Sequence, residues 1–183
     1  MSDPLRERRS PRDWAALGQV IETTIELRSF PQLAGIVAGD LARLPAGEAP
    51  ADWRASPVVL ELAFGWHGRG RRMPVLEGRV TARVPAVCQR CLAPFTLVLA
   101  RDLRLMFAEN EADVPDAGDY EVWETEEATI RPLDVIEETM IMAIPLSAMH
   151  NSAECRAPGQ EEAPGPDRVR PFADLKSRMR QEE

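Results

Sequence analysis

Apolar side chains recur at every second position through Val58, Leu60, Leu62, Phe64 and Trp66, stop at His67-Gly68-Arg69-Gly70-Arg71-Arg72, and resume at Leu76, Val80, Ala82 and Val84. Successive side chains of a strand point to opposite faces, so the pattern predicts two antiparallel strands joined by a turn rich in glycine and arginine. In the second strand Glu77, Arg79, Thr81 and Arg83 take the face away from the core. A third strand carries Phe95, Leu97, Leu99, Leu103, Leu105 and Phe107 inward with Asp102 and Arg104 outward, leaving Cys88 and Cys91 in the turn before it. Arg101 falls in the inward register of that strand. A bulge or an edge position would free its guanidinium, and a phosphate or carboxylate ligand at the sheet rim is the functional alternative.

Helical patterns flank these strands. Ser10-Pro11-Arg12-Asp13 reads as a cap, a proline at the first helical position and a capping-box carboxylate, with Gly18 as the stop. Val20 to Leu27 alternates and is β-branched, which predicts a strand. Ser29 is placed to cap a helix whose Leu33, Ile36, Val37, Leu41 and Leu44 share one face, ended by Pro45. The acidic stretch 109–128 predicts a loop with room for a short strand around Tyr120 to Trp123. Pro132 begins a helix through Ile144 with Leu133, Ile136, Met140, Ile141 and Ile144 buried and Glu137 and Glu138 outward, and Pro145 lies just beyond its end. The expected fold class is therefore α+β: an antiparallel β-sheet or partly closed barrel packed by a few helices.

The chain's 183 residues suit one domain, placed at 1–155. Residues 156–169, rich in Pro, Gly and Glu, cannot bury enough apolar surface to order themselves and read as a flexible linker. In 170–183, Phe172, Leu175 and Met179 form a helical apolar stripe suited to docking on the parent domain or on a partner, with Phe172 and Leu175 as the partner-binding candidates. No apolar run approaches the roughly 18 residues of a membrane span. Three cysteines and an N-terminus without an apolar signal segment point to a reducing cytoplasm.

The net charge of −8 hides a bipolar distribution. From Arg69 to Arg104 eight arginines face only Glu77 and Asp102, a net of +6, whereas from Glu109 to Glu138 twelve carboxylates face Arg131 alone, a net of −11. One face could meet an anion and the other a basic protein, or both could be ordinary solvated surface.

Every cysteine belongs to one of two short pairs: Cys88-Gln89-Arg90-Cys91, and His150 with Cys155. Two thiolates from a C-x-x-C knuckle and a later His/Cys pair are the donors of a tetrahedral zinc site, although residues 92–149 separate the pairs and the fold must return one to the other. Free thiols and a redox dithiol stay open as readings. The redox one is disfavoured because the knuckle lies in a β-turn and not at a helix N-terminus, where a thiolate would be stabilised.

Val87-Cys88-Gln89-Arg90-Cys91-Leu92-Ala93-Pro94-Phe95, the helix from Leu133 to Pro145 with its Val-Ile-Glu-Glu core, Met149-His150 to Cys155, and the terminal Pro-Phe-Ala-Asp-Leu-Lys together resemble the large ribosomal RNA subunit accumulation protein family, the YceD family, from about residue 55 onward. The resemblance implies a cytoplasmic bacterial protein, without an established enzymatic activity, needed for accumulation or maturation of large-subunit ribosomal RNA. It makes a four-ligand site at Cys88, Cys91, His150 and Cys155 more credible. Relatives tend to carry Asp where this chain has Arg131, so the late helix must start at Thr129 or rely on Pro132. The expected partners are precursor large-subunit ribosomal RNA or a pre-ribosomal particle, touched at the phosphates by Arg79, Arg83, Arg90 and Arg104, with a basic large-subunit ribosomal protein a candidate for the acidic segment. Trp66, Phe95 and Phe107 fall on the core face and offer no base-stacking platform. An adapter that binds a ribosomal protein or processing enzyme without touching RNA is the alternative, and the net charge favours it. No membrane or small-molecule substrate is expected, since no nucleophile triad, phosphate-cradling glycine loop or H-E-x-x-H motif is present.

Overall fold

The computed structural model of the chain describes residues 3–68, 72–114, 116–125, 127–150 and 155. The expected linker 156–169 and the peptide with Phe172 and Leu175 lie outside them. The period-two segments form β2 (Pro57–His67), β3 (Met73–Val87) and β4 (Pro94–Ala108), an antiparallel meander, with β1 (Val20–Glu26) antiparallel to β2 at one edge. At the other edge β5 (Glu121–Glu124) pairs in parallel with Leu105–Ala108. Parallel pairing needs a crossover of about a dozen residues, and the acidic stretch after β4 supplies it. The order β1-β2-β3-β4-β5 makes the sheet open and not a partly closed barrel.

One face of the sheet carries the core. Val58, Leu60, Leu62, Phe64, Leu76, Val80, Ala82, Val84, Leu99, Leu103, Leu105 and Phe107 are buried there, as the alternation predicts, beneath α1 (Pro11–Leu17), α2 (Pro31–Leu41) and α3 (Pro132–Met142). Trp66 is instead half-buried at the hairpin end, with the Arg72 guanidinium over its ring, because the sheet outruns its helical cover there. Gly78 occupies the inward register opposite Leu62, and a Cβ there would sit 2.0 Å from the Glu61 carbonyl oxygen. Glycine is what lets β2 and β3 close at that point.

The other face is not wholly solvent. Met73, Val75, Met106 and Ala108 form a second buried cluster under Val114, Tyr120 and Val122, because the acidic connection folds back over the sheet. Arg101 sits on the stretch of β4 that β5 does not cover. It is exposed and lies 3.3 Å from Glu121, which is the edge explanation of its inward register.

α1 begins as the sequence indicates: the Asp13 N–H donates to the Ser10 hydroxyl at 3.1 Å, and Gly18 ends the helix at φ 56°. β1 stops at Glu26, one residue early, as Leu27–Ser29 turn into a 3₁₀ segment. Ser29 therefore does not cap α2. Phe30 holds the cap position without a side-chain bond, and the acceptor comes from another helix: Glu137 Oε1 receives the Gln32 N–H at 2.6 Å and the Leu33 N–H at 3.0 Å. Glu137, expected to face solvent, is 5% exposed. Spacing of three and four residues puts it on the same flank as Leu133 and Met140, and that flank meets the start of α2. Glu138 is exposed as expected, whereas Ile36 is 44% exposed, outside the stripe assigned to it. α3 relies on Pro132, since Arg131 holds the cap position without capping and turns its guanidinium to Asp134.

Removing the Glu137 carboxylate would leave the buried Leu33 N–H and the part-buried Gln32 N–H of α2 without an acceptor. Glu137→Ala is expected to lower unfolding free energy by about 2–4 kcal/mol and Glu137→Gln, which keeps one acceptor oxygen, by about half of that. Urea denaturation of both variants checks it, and equal losses would show that the carbonyl oxygen is not what α2 requires.

Candidate metal centre

The turn after β3 is shaped by backbone bonds. The Cys88 N–H donates to the Ala93 carbonyl and the Leu92 N–H to the Cys88 carbonyl, both at 2.9 Å, with Leu92 left-handed at φ 61°. Two outside supports fix the turn. Asp40, near the end of α2, accepts the Val87 N–H at 2.7 Å, and the Ala148 carbonyl, beyond α3, accepts the Gln89 N–H at 2.9 Å. The second bond carries the 148–150 segment to the knuckle and His150 with it.

The fold thus brings together the Cys88/Cys91 and His150/Cys155 pairs that 58 intervening residues separate in the chain. Cys88 Sγ lies 3.5 Å from Cys155 Sγ, Cys91 Sγ lies 3.1 Å from His150 Nε2, and the four donor atoms all fall within 4.8 Å of one another. Tetrahedral coordination with arms of about 2.0–2.3 Å sets its ligand atoms roughly 3.3–3.8 Å apart, so the cluster has the size of a metal site. Cys88 and Cys155 are buried, while Cys91 and His150 are half-buried. Phe95, expected in the core, is half-buried and stands 5.7 Å from the His150 ring, shielding one side of it.

Electrostatics also favour a thiolate here. Burial pushes the Cys88 thiol up, but the N–H groups of Cys91, Arg90 and His150, together with the Cys155 thiol, outweigh it and bring Cys88 down to about 6. Cys155 is pushed up to about 11 by burial and by the neighbouring Cys88 and Cys91 sulfurs. Three sulfurs crowded this closely repel as anions, and a bound cation relieves that repulsion while the N–H donors hold the sulfurs in place. Sequence reasoning missed Asp40 and Ala148 as supports, because a carboxylate inside a helix and a backbone carbonyl leave no local signal.

The outward arginines stand where the register places them. Arg79 is chelated by Asp102, with Nε–Oδ1 at 2.6 Å and Nη2–Oδ2 at 3.2 Å, an interaction that lowers the Asp102 carboxyl and raises the guanidinium. Arg104 lies 3.3 Å from Asp119 of the acidic connection. The neighbouring Tyr120 hydroxyl donates to Glu77 at 2.5 Å, a bond that, with burial, pushes Tyr120 up to about 12. Arg83 and Arg90 are exposed, and no ion pair forms at either among the described residues. Both lie toward the knuckle end of the sheet.

A family model for the large ribosomal RNA subunit accumulation protein YceD matches residues 76–177. The protein of that name from Haemophilus influenzae is 30% identical over 97 residues, covering 52% of this chain and 56% of its own length, so the match spans about half of that relative. No solved structure matches the chain.

A metal shared by the two pairs would tie the end of β3 to the segment after α3, so its removal should loosen both. A strong chelator is expected to lower the melting temperature by roughly 5–10 °C, the shift that ligand saturation at about 100 times Kd supplies to a chain of this size. Cys91→Ser should melt lower without chelator and respond no further to it. A chelator shift that survives in Cys91→Ser would place the metal elsewhere.

Proposed function

The chain belongs to the large ribosomal RNA subunit accumulation protein (YceD) family, and on that premise we propose that it is a non-catalytic factor that supports large-subunit ribosomal RNA by contacting precursor RNA phosphates beside a structural zinc centre. The observation that carries this reading is the Cys88, Cys91, His150 and Cys155 cluster, with Arg90 exposed in its knuckle and Arg83 exposed on the strand that leads to it. Zinc is favoured because three sulfurs and one imidazole nitrogen at tetrahedral spacing suit a redox-inert d¹⁰ ion, and four protein ligands leave no open position for catalysis. The metal's role is to hold the knuckle rigid. Arg83 and Arg90 then offer charge without breaking an existing ion pair, whereas Arg79 and Arg104 must first leave Asp102 and Asp119.

The adapter reading keeps specific support: the net charge is −8, and two of the four arginines assigned to RNA are already matched by carboxylates. Crosslinking in cells followed by sequencing separates the two. Precursor ribosomal RNA retained through denaturing washes is the outcome for direct contact, and protein-only crosslinks are the outcome for an adapter.

Elemental analysis of the purified chain should find about one zinc per molecule. Another metal at that ratio would overturn the zinc assignment and leave the site intact. For RNA, Arg83→Gln with Arg90→Gln should flatten the slope of log affinity against log salt by about 0.7–0.9 per lost phosphate contact. Arg79→Gln with Arg104→Gln should change it less, since those guanidiniums exchange one anion for another. An unaltered slope in both double variants would mean that RNA does not meet this surface.

A further inference from the structure

Beside the metal cluster, α2 and the ends of β3 and β4 enclose an open groove of about 480 Å³ lined by Ile36, Val37, Val84, Leu97, Ile144 and Leu146. Its lining is mainly apolar, with Asp40, Arg43 and Gln89 among it, and the apolar part is wet: Ile36 is 44% exposed and Leu146 fully so. Such a concave apolar surface gains free energy by being covered. We propose that this groove is the docking site of the chain's own residues 170–179, with Phe172 and Leu175 as anchors, so that the metal cluster and the tail form one unit.

Three observations select that occupant. First, the chain leaves the described structure at the groove: Gln89 and Ala148, which line it, are joined by a hydrogen bond, and Cys155 sits 3.5 Å from Cys88 next to Gln89. Residues 156–169 then reach at most about 48 Å when extended, whereas α2 is only about 16 Å long, so the tail has slack to fold back. Second, Phe172, Leu175 and Met179 are spaced by three and four residues and are the one apolar stripe at helical spacing in 156–183, and a helix face of that kind is what an apolar groove takes. Third, the family match continues past the metal ligands to residue 177, so Phe172 and Leu175 belong to the same module as the knuckle.

Tethering explains why so short a peptide would suffice. A tether of fourteen residues holds its peptide at an effective concentration of up to about the millimolar range, so two anchors of weak intrinsic affinity would keep the groove filled. The contact of Cys155 with Cys88 sets where residues 156–169 begin. The proposal stands independently of the RNA reading, because its test contains no RNA.

A photoreactive benzophenone side chain in place of Leu146, in the full-length metal-loaded protein, reports the occupant by mass spectrometry. The expected adduct lies within residues 170–179 of the same chain. Phe172→Ala should cut its yield roughly tenfold, the consequence of losing one buried aromatic anchor, and so should Ile36→Glu, at a position exposed enough to leave the fold intact. Val59→Glu, on the opposite face of the sheet and 42% exposed, should leave the yield unchanged. Adducts to a second copy, to another protein or to a different segment would overturn the proposal, as would a yield insensitive to both Phe172→Ala and Ile36→Glu.

Discussion

The Glu137 carboxylate is the contact through which the two halves of the Cys/His cluster are held in one frame. It joins the middle of α3 to the first turn of α2, and each helix then delivers one support to the knuckle. α2 runs on to Asp40, which anchors Val87, and α3 leads to Ala148, which anchors Gln89 and places His150. Distant residues are thus clamped at one end by a carboxylate, across more than a hundred positions, and at the other by cysteine and histidine side chains across about sixty. A charged acceptor in this place is costly to leave unpartnered, and the two N–H donors of α2 satisfy it.

The same economy appears on the sheet's outer face. The acidic connection after β4 is long because β5 must run parallel to β4, and on its way back it covers Met73, Val75 and Met106. It also supplies Asp119 to Arg104 and Glu121 to Arg101. Part of the charge asymmetry along the chain is therefore cancelled within the fold. Net positive charge is left toward the knuckle end, where Arg83 and Arg90 are exposed. Exposed positive charge is thus local to the Cys/His knuckle and is not spread over a broad basic sheet.

Period two in β2, β3 and β4 fixed the inner face of the sheet, and the Ser10, Pro11 and Gly18 signals fixed α1, because those features depend on neighbours within a turn or a hairpin. The two ligand pairs were legible for the same reason: each lies within six residues of chain. What tertiary structure alone decided were encounters between distant elements. Glu137 turned inward because the start of α2 lacked an acceptor of its own, Ser29 being spent in a 3₁₀ segment. β5 joined in parallel because the crossover was long enough, and Val75 and Met106 became buried under it although their register faces outward. The convergence of Cys88 and Cys91 with His150 and Cys155 belongs to the same class. Chemistry in the sequence identified the donors, but only the packing of α2 and α3 on one sheet face could determine that donors with 58 residues between them would meet.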